Sequence, residues 1–192
     1  SRFEYYFNGF PQKKNPIHLL FHMATGSGKT ILMATNILYL YEQGYRNFIF
    51  FVNSTNIIEK TKANFLFTDS SKYLFNQKII FNHNEVQIAE VDNFEGTNPD
   101  DINILFTTIQ GLHTRLRKPS ENTITFEELA NTKLVLLSDE AHHINTMTQA
   151  NPGATEEELE KSWERTVQRI FESNTDNVLL EYTATINFND ER

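Results

Sequence analysis

The residues best equipped for chemistry in this 192-residue chain stand at Gly26-Ser27-Gly28-Lys29-Thr30. A strand-length apolar run, Ile17 to His22, precedes them, and Ile31, Leu32, Ile37, Leu38 and Leu40 follow at helical spacing. Strand, glycine-rich turn and helix, in that order, is the setting a phosphate-binding loop requires. Glycines let backbone N–H groups close around phosphate oxygens, and the helix start adds partial positive charge. Lys29 can then reach the β and γ oxygens, and the Thr30 hydroxyl can ligate Mg²⁺. Thr25, Gly26, Ser27, Gly28, Lys29 and Thr30 are therefore the candidate nucleotide-binding residues. The motif's usual leading glycine is missing, since Met23 stands five residues before Gly28.

A second signal is Leu134-Val135-Leu136-Leu137-Ser138-Asp139-Glu140, an apolar run that ends in two adjacent acids. Ligand sites of open α/β sheets lie at the carboxyl ends of the strands. An acid there, in a phosphate-loop protein, holds Mg²⁺, so Asp139 with Thr30 is the candidate metal pair. Glu140 is placed to polarise an attacking water, which makes Lys29, Asp139 and Glu140 the candidate catalytic residues. Without the upstream loop, Asp-Glu at a strand end would read as a solvated surface pair. His142 and His143 lack the HExxH spacing and have no Cys to complete a zinc site.

These residues need a scaffold, and the chain supplies alternating strand-length and helical segments. Strands are expected at Ile17 to His22, Asn47 to Val52, Val86 to Val91, Ile102 to Phe106, Leu134 to Leu137 and Val178 to Tyr182. Helices are expected from Ile31 to the Gly44 stop and from Ile57 to Phe67. A third should run from Thr155 to about Ser173. Thr155 and Glu158 would form a capping box there, and Leu159, Trp163, Val167, Ile170 and Phe171 an apolar stripe. Asp92 to Asp101 and Lys118 to Thr123 read as loops. The pattern is that of a single α/β domain over residues 1–192, with a mostly parallel sheet of about six strands and helices on both faces.

Composition narrows the classes. Hydrophobic residues make up 39% and charged residues 22%, with only 7 Gly and 5 Pro, which excludes collagen-like and broadly disordered chains. No apolar run approaches the roughly 20 residues of a membrane helix, and the polar start Ser1-Arg2-Phe3-Glu4 lacks a signal-peptide pattern. The chain has no Cys, which fits a reducing compartment, with the cytoplasm as the default. Net charge is −8, and residues 1–90 carry 9 Lys+Arg against 6 Asp+Glu while the remainder carries 8 against 19. A chain so acidic in its second half is a poor partner for phosphates on its own. The 16 Phe, clustered as in Phe48-Ile49-Phe50-Phe51, read as core rather than as base-stacking platforms.

Ala24 to Thr30, Asp139-Glu140-Ala141-His142 and Thr183-Ala184-Thr185, in that order, resemble the first RecA-like motor domain of superfamily 2 helicases and translocases. Phe21 to Gly26, Phe51 to Thr55, Asp139 to His143 and Leu179 to Ile186 are similar to the helicase subunit of type III restriction enzymes. The resemblance spans nearly the whole chain. It implies an ATP- and Mg²⁺-dependent DNA helicase or translocase of a restriction-modification system. His142, Thr183 and Thr185 would couple nucleotide state to strand movement, and Asn53, Ser54, Thr107, Thr108, Gln110 and Gly111 would touch the nucleic acid backbone. Read without the family, Thr107-Thr108 is a polar strand end.

The same resemblance implies partners: double-stranded DNA gripped through its backbone, a second RecA-like domain and a methyltransferase subunit. No Gln-x-x-Gly-Arg-x-x-Arg motif is present to supply an arginine finger; Gln168-Arg169 lacks the Gly. No Lys has an acid two residues before it, as a restriction nuclease centre would need. The chain thus reads as a first motor domain cut from a longer protein, with any nuclease elsewhere. Gln12 is the only upstream glutamine that could read adenine. A helicase acting on RNA or in repair is one alternative reading. Another is a nucleotide-binding switch whose acidic helix, Glu156 to Phe171 with Trp163, docks protein partners.

Overall fold

The computed structural model describes residues 16–118, 123–139 and 165–184. Six strands form one sheet: β1 (Ile17–His22), β2 (Asn47–Val52), β5 (Ile88–Glu90), β6 (Ile102–Thr108), β7 (Leu134–Asp139) and β8 (Val178–Thr183). Their spatial order is β1-β8-β7-β2-β6-β5, and every pairing is parallel. Parallel strands need crossovers, and helices supply them: α1 (Lys29–Glu42), α2 (Thr55–Phe65), α3 (Ile109–Arg117) and α4 (Phe126–Asn131). Residues 165–172 form a further helical stretch, α5, ahead of β8.

The continuous apolar runs are explained by burial on both faces. In β2, Phe48, Phe50 and Val52 join a core that includes Met33, Ile37 and Leu40 of α1 and Ile58 and Phe65 of α2. Ile49 and Phe51 point the other way, into a core shared with Ile109 and Leu112 of α3, Leu129 of α4 and Ile170 and Phe171 of α5. The sheet is therefore the middle of three layers. Among the described residues eight Phe are buried, as their clustering implies.

Several expectations are corrected. Val86 to Val91 is not one strand: the chain breaks at Gln87, whose N–H is taken by Asp101 Oδ1. Upstream of the break, β4 (Asn84–Val86) pairs antiparallel with β3 (Ile79–Phe81) in a separate hairpin. Asn82 and His83 both have positive φ, the conformation a two-residue hairpin turn demands. The second helix runs two residues earlier than expected, Thr55–Phe65. α3 and α4, unforeseen, fill the connection between β6 and β7. Gly44 does end α1's segment with φ +87, its N–H bonded to Tyr41 O. The loop at 92–101 is found as expected. In the acidic helix, Ile170 and Phe171 are buried and Val167 is partly buried, while its capping box and Trp163 lie outside the described residues.

Candidate functional site

In an all-parallel sheet every strand delivers its carboxyl end to the same edge, and register decides which residues arrive level. His22 pairs with Thr183, Asp139 with Tyr182, Phe51 with Ser138 and Val52 with Thr108. One edge thus carries the loop after β1, the Thr183-Ala184 end of β8, Asp139 at the end of β7, Asn53-Ser54 after β2 and Thr108 at the end of β6. β8 alone separates the loop strand from the Asp139 strand, a gap of about 10 Å between strand axes.

The loop is shaped by its glycines. Gly26 has φ +77, and Gly28, the N-cap of α1, has φ +96. Nothing lies within 4 Å of a Cβ built on either, so the backbone conformation, not lack of space, requires glycine. Ser27 folds back on the stem, its N–H and hydroxyl both donating to Ala24 O at 3.1 and 2.6 Å. No side chain caps α1 and no acid stands in its first turn. The 14-residue helix therefore presents its orphan N–H groups, with Lys29 and Thr30 in the first turn, to whatever binds there.

Asp139 lies on the same side of the sheet as this helix. It follows Val135 and Leu137, which pack in the α1 core, by strand alternation. Beside it, Tyr182 is fully buried, and its hydroxyl accepts a 2.7 Å hydrogen bond from Asn36 Nδ2 of α1. Burial chiefly, then the Asp139 charge, hold the Tyr182 hydroxyl above its usual titration range, against the opposing Asn36 bond. Asp139, Tyr182 and α1 are thus electrostatically in one neighbourhood. Thr30 and Asp139 together offer hard oxygen donors of the kind Mg²⁺ takes while keeping several waters.

Farther along the edge, Ser54 is the N-cap of α2, and its side chain makes no capping bond. Thr108 caps α3, its Oγ1 accepting from Gly111 N at 2.9 Å. The buried Thr107 hydroxyl donates to Thr108 O. A Cβ on Gly111 would sit 3.0 Å from both threonine hydroxyl oxygens. Asn53 and Gln110 are exposed beside these helix starts.

The structure thus brings Thr25 to Thr30, Asp139 and Thr183 to one edge of the sheet, with Asn53, Ser54, Thr107, Thr108, Gln110 and Gly111 farther along it. Glu140, His142, His143, Thr185 and Gln12 lie outside the described residues. Sequence reasoning missed Asn36, whose signal was a polar residue on the apolar stripe of α1 among Met33, Ile37 and Leu40. Among the described residues there is no cluster of three or more His, Asp or Glu able to hold a metal, and no helix long and apolar enough to cross a membrane.

Comparison with known proteins adds three findings. The family model described as type III restriction enzyme, res subunit, matches residues 3–188. The probable type III restriction-modification enzyme HindVIP Res subunit of Haemophilus influenzae is 42% identical over 200 residues, covering 95% of this chain. The chain spans 39% of that relative's length. The crystal structure of the DUF1998 helicase MrfA bound to DNA and AMPPNP superposes with a TM-score of 0.53 at 14% identity, over 98% of this chain and 24% of that one. At that identity the likeness speaks for the fold, and with the parallel sheet it bears out a RecA-like α/β domain.

Proposed function

The chain belongs to the type III restriction enzyme res-subunit family, and on that premise we propose that it is the first ATP-binding motor domain of a DNA translocase. The observation that carries the reading is the open, uncapped start of α1 behind two left-handed glycines, one strand away from Asp139 on the same face of the sheet. Backbone N–H groups of residues 25–30 would bind the phosphates, and Lys29 would hold the β and γ oxygens. Mg²⁺, held by Thr30 and Asp139, would neutralise charge on those oxygens. Glu140 would orient the attacking water, and Thr183, with His142 and Thr185, would pass the change at the site to the bound strand.

Asn53, Ser54, Thr107, Thr108, Gln110 and Gly111 would meet the DNA backbone. Ser54 and Thr108 begin α2 and α3 at neighbouring strand ends, so two helix starts face one side. With a net charge of −8, such contacts would be weak and salt-sensitive in this chain alone. A second RecA-like domain would complete the ATP site and contribute the arginine finger, a group worth about 10³ to 10⁵ in rate. A methyltransferase subunit would be the partner in the assembled enzyme.

Calorimetric titration of the chain with Mg²⁺-ATP, repeated on Lys29→Ala, tests the reading. The wild type is expected to bind and the variant to bind at least about tenfold more weakly, the loss of a charge-assisted contact. Equal binding by both would overturn it.

A further inference from the structure

Two contacts fasten the stem of the phosphate loop to the end of β8. Met23 N donates to Thr183 O at 2.9 Å, just past the last paired position of the two strands. His22 Nε2 lies 3.3 Å from Ala184 O. A carbonyl only accepts, so Nε2 carries a proton and donates. On the loop side, Ala24 O receives both the N–H and the hydroxyl of Ser27. A short covalent and hydrogen-bonded path therefore runs from Ala184 through His22, Met23 and Ala24 to Ser27. His22 is exposed on the edge strand, so its imidazole does not serve as core filling.

We propose that His22 is a positioning residue that clamps Ala184, and with it the end of β8, to the stem of the phosphate loop. Occupancy of the loop is thereby passed to the Thr183-Ala184 segment. β8 lies between β1 and β7, and its Tyr182 pairs with Asp139, so a shift of this strand end reaches both halves of the site. The inference rests on the nucleotide reading above and names a residue that the loop motif itself does not contain.

Amide hydrogen exchange on the 192-residue chain, compared among wild type, His22→Ala and His22→Gln, tests it. Without nucleotide, His22→Ala is expected to speed exchange at Met23 about 3- to 10-fold, the effect of one hydrogen bond. His22→Gln, which keeps a side-chain N–H donor, should restore the wild-type rate. With saturating Mg²⁺-ATPγS, amides at 183–184 should slow in the wild type and in His22→Gln but not in His22→Ala. Equal Met23 exchange in wild type and His22→Ala, or failure of Gln to restore it, would overturn the clamp. If wild-type amides 26–30 ignore the nucleotide, the reading of the loop and the passage of its state to β8 both fail. The Met23 comparison decides the clamp in either case.

Discussion

Asn36, in the middle of α1, donates a 2.7 Å hydrogen bond to the buried hydroxyl of Tyr182, and so ties the helix that opens at the phosphate loop to the strand beside Asp139. Phe21 stacks on the same tyrosine, ring centres 5.0 Å apart, which adds β1 to the joint. The polar pair sits in an otherwise apolar layer and fixes how α1 lies across the sheet.

Tyr182→Phe removes one partner and leaves the Asn36 amide unsatisfied, so a loss of about 1–3 kcal/mol in unfolding free energy is expected. Replacing both, as Asn36→Leu with Tyr182→Phe, should cost less than the sum of the single changes. Urea denaturation of the four-member cycle checks this. Strict additivity would mean the bond has no net coupling.

Gly111→Ala would ordinarily favour a helix by about 1 kcal/mol. Here the new Cβ meets two hydroxyl oxygens at 3.0 Å, each held by its own hydrogen bond. A net destabilisation of about 1–2 kcal/mol is expected. Because Thr108 also caps α3, the test is a double-mutant cycle: Gly111→Ala with Thr108→Ala should cost less than the sum of the two single changes in a denaturation series. A variant as stable as the wild type would show that the threonines give way freely.

Asn177 is fully buried, and its side chain joins two elements ahead of β8. Its Oδ1 accepts from Leu134 N at the start of β7, and its Nδ2 donates to Ile170 O and Phe171 O at the end of α5. Asn177→Ala takes this partner from Leu134 N and Phe171 O, while Ile170 O keeps the N–H and hydroxyl of Ser173, and should cost on the order of 3 kcal/mol. A loss of unfolding free energy under about 0.5 kcal/mol in chemical denaturation would contradict this role.

His18 on β1 bonds Glu181 on β8 at 2.6 Å, and that bond raises its pKa against the opposing effect of burial. A raised folded-state pKa means the stabilisation is complete below the unfolded value near 6.5 and fades as pH climbs through the folded one. The stability gap between wild type and His18→Gln should therefore shrink between pH 6 and pH 8. The pair is half exposed, so its full size is below about 1 kcal/mol. A gap that widens with pH would reverse the assignment.

The alternation of apolar runs with helical stretches, and the strand–loop–helix around Lys29, were legible because they depend on local periodicity and on backbone freedom at two glycines. Five of the six expected strands fall on observed ones, some ending a residue or two late. The sixth, at 86–91, contains a break that no local signal marks, since the N–H of Gln87 leaves the ladder for a carboxylate 14 residues away. The hairpin turn at Asn82-His83 and the helices α3 and α4 were too short for periodicity to reveal.

By itself, then, the sequence determined which residue types could bind phosphate and metal, and that each follows a strand-length apolar run. Tertiary structure decided the strand order, and with it that Asp139 stands one strand from the loop, on the helix side. Strand order depends on which apolar faces meet across the sheet and on register between segments more than a hundred residues apart, and no local pattern encodes that. The joint between Asn36 and Tyr182, 146 residues apart, exists for the same reason.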